Sequence, residues 1–121
     1  MMLYTRALVI ATLLGTVAQA VMVLAGHRNP AIANLFAVGG MTLSLLAGLV
    51  YAWLARPKPA VSIAAQGGAL AGGLCGLLGI ALSFFLGDVA AMLLLVGTLS
   101  SAATGAIGGL VGRLLGRPGL G

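Results

Sequence analysis

Residues 61–86 read VSIAAQGGALAGGLCGLLGIALSFFL, 26 positions without an Asp, Glu, Lys, Arg or His. As a helix rising 1.5 Å per residue, that run is about 39 Å long, more than the roughly 30 Å hydrocarbon core of a bilayer. Lipid offers the backbone no hydrogen-bond partner, so a spanning segment must be helical or belong to a closed barrel. The apolar and polar positions do not alternate, which excludes the strand reading.

Polar punctuation bounds this run. Before it stands Arg56-Pro57-Lys58-Pro59, a stiff link, and after it Gly87-Asp88, a minimal turn in which Asp88 is read as the N-cap of the next helix. Working outward, three further apolar segments appear, so the four run at about 7–26, 31–55, 61–86 and 89–112. His27-Arg28-Asn29-Pro30 divides the first from the second, and Pro30 suits the first turn of a helix, where its missing N–H costs little. The expected fold is all-α: a polytopic membrane protein with four transmembrane helices in one compact bundle spanning residues 1–121.

Composition agrees. The chain is 61% hydrophobic and 6% charged, with six Lys/Arg and the single carboxylate Asp88. A soluble domain is typically about a quarter charged, and this chain could not cover its apolar surface in water. The net charge of +5 is scattered singly between apolar runs rather than gathered in a stripe, which argues against nucleic acid. Met1 to Arg6 resembles a signal n-region and Ala18-Gln19-Ala20 fits a peptidase site. The apolar run nonetheless continues through Val21-Met22-Val23-Leu24-Ala25, so the segment is read as a retained span.

With four spans, one side collects Arg6, Arg56, Lys58, Arg113 and Arg117, while the other has only Arg28 among Lys and Arg. The positive-inside rule then predicts both termini in the cytoplasm and a cell (inner) membrane location. Tyr4, Tyr51 and Trp53 lie near the cytoplasmic ends, a depth that suits aromatic rings. An internal duplication is also weighed: Gly48-Leu49-Val50 and Arg56-Pro57 recur 61 positions later as Gly109-Leu110-Val111 and Arg117-Pro118. If it is real, two helical hairpins repeat about an axis along the membrane normal; a Gly/Ala/Leu-rich chain also matches itself by chance.

Glycine carries the packing signal, with 20 in the chain. Gly68, Gly72 and Gly76 are spaced by four, as are Gly108, Gly112 and Gly116, with Gly105 and Gly109 overlapping the latter. Four-residue spacing puts them on one face, where another backbone can approach closely. Two readings stay open: a glycine zipper that assembles an oligomer or pore, and ordinary packing inside one bundle.

Polar side chains form two stripes, Thr12, Thr16 and Gln19 in the first helix and Thr98, Ser101 and Thr104 in the fourth. They are candidates for a polar path, or for hydrogen bonding between helices. Cys75 stands alone, with no partner for a disulfide or CxxC motif, and is read as a small packing residue.

No ionisable residue lies near the middle of a span, which argues against proton- and cation-coupled transport. One His and one carboxylate make neither a metal site nor a catalytic triad. The chain is therefore expected to be no enzyme and to need no cofactor. Its expected partners are the lipid bilayer and other transmembrane helices, its own copies or a larger complex, with no nucleic acid. The function expected first is an accessory or structural subunit, with Gly-rich helices making the contacts. The alternative is a homo-oligomeric channel or transporter for a neutral or weakly polar solute.

Overall fold

A computed structural model describes residues 4–29, 31, 36–55, 60–87 and 89–115. Among these residues the chain is an all-α bundle of four helices: α1 (Thr5–Arg28), α2 (Phe36–Leu54), α3 (Val61–Phe85) and α4 (Met92–Leu115). Helices α1, α3 and α4 are each long and apolar enough to cross a membrane, with mean hydropathies of 2.2, 1.9 and 1.6 over their best windows. The apolar part of α2, Val38–Leu54, is shorter.

The helix ends differ in detail from those read in the sequence. Helix α4 starts at Met92, not near 89, because Val89 to Ala91 complete the turn, and it continues past Gly112 to Leu115. Asp88, read as the N-cap of this helix, lies outside the described residues. Gly87 instead closes α3: its N–H bonds the Phe84 carbonyl at 3.0 Å and its φ is +80°, a left-handed conformation that costs glycine little. Pro30, the Arg56–Pro59 link, Gly116 and Arg117 are likewise outside the described residues.

Consecutive helices run antiparallel, so α1 lies parallel to α3 and α2 to α4. Gly48 packs on Gly105 and Gly109, while Gly15 packs on Cys75, in the two parallel pairs. The section is a rhombus. Helices α2 and α3 touch across the short diagonal and each touches both tips, α1 and α4, which make no extensive contact with each other. A twofold axis relating the two hairpins would require α1 to pack on α4 as α2 packs on α3. It does not, so the 61-residue recurrence is not accompanied by twofold packing.

The interior is built from small residues. Buried on α3 are Ala64, Gly67, Gly68, Ala71, Gly72, Gly73, Cys75, Gly76, Gly79 and Ser83, with no large aliphatic among them. The largest fully buried side chains are Tyr51, Cys75 and Ser44. Large aliphatics point outward: Leu13, Val17 and Val21 on α1 and Leu95, Leu99 and Leu114 on α4 are each about 60% exposed or more. A water-soluble bundle reverses this pattern, burying its leucines and exposing charge. Here lipid is the solvent, and close backbone approach supplies the packing that hydrophobic exclusion cannot. The fold is that of a membrane protein.

Tyr51 corrects the reading of an interfacial aromatic. Its ring is 0% exposed, wedged against Gly67, and its hydroxyl accepts a hydrogen bond from the Tyr4 N–H at 3.2 Å. The Tyr4 ring meets it edge-on at 6.4 Å. Trp53 remains exposed at the same end of the bundle.

Candidate functional site

Of the glycines singled out in the sequence, the seven among the described residues all face other helices of the same chain. Gly68 and Gly72 meet Gly105 and Gly109 across α3 and α4, so closely that a Cβ on Gly68 or Gly105 would overlap the opposite carbonyl oxygen. Gly108 and Gly112 abut the carbonyls of Leu45 and Leu49 on α2. Gly76 makes room for Ser101 and borders Ser44. Such contacts place glycine Cα hydrogens against carbonyl oxygens, a weak attraction that recurs at close helix crossings. These faces are therefore occupied within the chain.

The polar stripes end differently. Gln19, 3% exposed, is the hub of a buried cluster. Its Nε2 donates to the Gly40 carbonyl at 3.2 Å and to Ser44 Oγ at 3.4 Å, and lies 3.9 Å from Cys75 Sγ. Ser44 Oγ and Cys75 Sγ each donate to the Gly72 carbonyl at 3.3 Å. That carbonyl receives side-chain bonds from α2 and from its own helix, while Gln19 ties α1 to α2. The cluster is thus the polar joint of three helices. Desolvating an amide is costly, and these bonds offset the cost.

Glycine makes the joint possible. A Cβ on Gly79 would stand 2.8 Å from Gln19 Cβ and 3.2 Å from its Oε1. A Cβ on Gly15 would stand 2.9 Å from Cys75 Sγ. The small residues around the cluster are the space into which Gln19 and Cys75 fit.

Of the second stripe, Ser101 is buried beside Gly76, next to the cluster, and Thr104 donates back to the Ser100 carbonyl at 2.7 Å within its own helix. Thr12, Thr16 and Thr98 have buried hydroxyls with no hydrogen-bond partner among the described residues. Thr12 and Thr16 sit on α1 and Thr98 and Thr104 on α4, the two tips of the rhombus. Helices α1 and α4 make no extensive contact with each other, so Thr12 and Thr16 stand apart from Thr98 and Thr104.

Three polar participants were not singled out as site residues in the sequence: Ser44, Cys75 and Ser83. Ser44 carried a signal, standing four residues after Gly40 and four before Gly48 on one small-residue face. Ser83 is 2% exposed and its Oγ has no hydrogen-bond partner among the described residues. Among the described residues no three His, Cys, Asp or Glu side chains come together as metal ligands.

No protein family's sequence profile matches the chain, and neither does any curated protein or solved structure.

Proposed function

We propose that this chain is a non-catalytic small integral membrane protein that serves as an accessory or structural subunit of a membrane assembly. The observation that carries the reading is the division of its surfaces. The small-residue faces are closed on one another inside the bundle, and the walls left over are broad and aliphatic, with Leu13 and Val17 on α1 and Leu99 and Leu114 on α4 turned outward. Contact with a partner then runs through those outer walls rather than through Gly68, Gly72, Gly76, Gly105 and Gly109. The partners are lipid and other transmembrane helices. The near absence of acid and base groups supports a role without catalysis or cofactor, since Asp88 and His27 are the lone carboxylate side chain and imidazole.

The proposed location is the cell (inner) membrane with both termini in the cytoplasm. Helix direction supports this: Arg6 and Arg113 share one end of the bundle and Arg28 lies at the other. Extraction into native nanodiscs, native mass measurement and identification of co-purifying chains tests the function. A stoichiometric larger partner supports the subunit reading, and a chain that purifies alone sinks it.

The buried hydroxyls of Thr12, Thr16 and Thr98, without hydrogen-bond partners among the described residues, favour a second reading, a homo-oligomeric channel or transporter for a neutral or weakly polar solute. In that case copies must bring the α1 and α4 stripes together. A clean homo-oligomer that passes such a solute in liposome flux assays would put this reading first.

A further inference from the structure

We propose that a cavity between α1, α3 and the α3–α4 turn is a binding site for one water molecule, bridging Ser83 to the amide of Gln19. The cavity has a volume of about 40 Å³ and is lined by Gln19, Met22, Gly79, Ser83, Val89 and Leu93, among others. A water needs roughly 10–15 Å³ of such space, so there is room for one.

The walls supply the partners. Ser83 Oγ is buried and without a protein partner among the described residues. Membrane hydroxyls usually bond the carbonyl four residues back, as Thr42 does to Val38 at 2.8 Å and Thr104 to Ser100 at 2.7 Å. Ser83 makes no such bond, and an orphaned hydroxyl in an apolar medium is costly. On the Gln19 side, donation by Nε2 to the Gly40 carbonyl fixes which amide atom is the oxygen. Oε1 lies on the Gly79 side, 3.2 Å from where a Cβ at residue 79 would stand. Gly79 and Ser83 are one turn apart on the same face of α3. A water here accepts the Ser83 O–H and donates one of its own hydrogens to Gln19 Oε1.

Position in the fold gives the water a route. Val89 belongs to the turn after α3, and Leu93, 38% exposed, opens α4. The site therefore sits just inside the membrane surface on the turn side, and its inner wall is the polar joint. The inference holds under either reading of function.

Hydroxyl-radical footprinting of the full chain in nanodiscs tests it, because radiolysis of a bound water marks its neighbours and Met22 lines the cavity. Met41 is the control: it faces outward, 45% exposed, beside the Gly40 that meets Gln19, so it shares the depth but not the cavity. The expected result is faster oxidation of Met22 than of Met41, falling several-fold in Ser83→Val, which fills the space and removes the hydroxyl. Ser83→Ala, a smaller change that keeps the fold if valine does not, should lower it less. Met22 oxidised no faster than Met41, or oxidised equally in wild type and the Ser83 variants, overturns the proposal.

Discussion

The ring of Tyr51 lies across Gly67 so closely that a Cβ at residue 67 would overlap ring carbons Cε2 and Cζ. Tyr51 is fully buried and its hydroxyl is held by the Tyr4 N–H, so the ring has nowhere to retreat. Gly67→Ala is expected to destabilise the bundle by about 1–3 kcal/mol, the usual cost of overpacking. The sole cysteine, Cys75, is fully buried, so a thiol-reactive dye reports unfolding directly. The variant should react at a lower temperature than wild type; an unchanged transition would remove Tyr51 from its place against α3.

A graded alanine series separates tight glycines from free ones. A Cβ on Gly40 would meet its nearest neighbour, Gln19 Oε1, at 3.7 Å, an ordinary contact. Gly40→Ala should therefore be neutral or gain up to about 1 kcal/mol from helix propensity. Gly105→Ala would drive a methyl into the Gly68 carbonyl and towards Gly72 Cα at 2.8 Å. Backbone cannot swing aside as a side chain can, so a loss of more than about 2 kcal/mol is expected. Gly72→Leu should fail for the same reason, with Gly105 Cα and the Ser101 carbonyl within 3 Å of the new Cβ. Equal melting transitions for Gly40→Ala and Gly105→Ala would refute the α3–α4 contact.

Hydropathy made the four spans legible, because lipid imposes the same demand on every residue of a spanning helix. Glycine spacing made the tight faces legible too. What it left open was which face meets which, since spacing by four is the same for a contact inside the chain and one between chains. The burial of Tyr51 was hidden because its position near a helix end also suits a headgroup-level ring, and only the notch at Gly67, 16 residues on, decides the matter. Gln19 was visible as a deep amide, but its partners come from α2 and α3, and no local pattern joins residues 19, 44 and 75. The start of α4 was misplaced because Val89 to Ala91 are as apolar as a helix, and the turn is set by backbone geometry at Gly87.

The Gln19 joint predicts a local weakening. Gln19→Leu keeps similar bulk but abandons the Gly40 carbonyl and Ser44 Oγ. Hydrogen bonds between membrane helices are worth about 0.6 kcal/mol on average and rarely above about 1.7, so the global cost should be near 1 kcal/mol. The distinctive effect is on Cys75, which is covered by Gly15 and Gln19 of α1. Looser docking of α1 should raise maleimide labelling of Cys75 in the folded state several-fold. Labelling as slow as in wild type would mean that apolar packing alone holds α1.

Orientation can be read with the same cysteine chemistry. Ala60 precedes α3 at the end shared by Arg6 and Arg113, and Ala90 lies in the turn at the end of Arg28; both are exposed. Because Cys75 is buried, Ala60→Cys and Ala90→Cys can each be made in the otherwise wild-type chain. By sequence Arg56, Lys58 and Arg117 join the first end, making five basic residues there against one at the other. An excess of Lys and Arg in short loops holds that end in the cytoplasm during insertion. A membrane-impermeant maleimide added to intact spheroplasts should label Ala90→Cys at once and Ala60→Cys only after permeabilisation. The reverse pattern would overturn the cytoplasmic placement of the termini, and labelling of both in intact spheroplasts would mean that the chain inserts in two orientations.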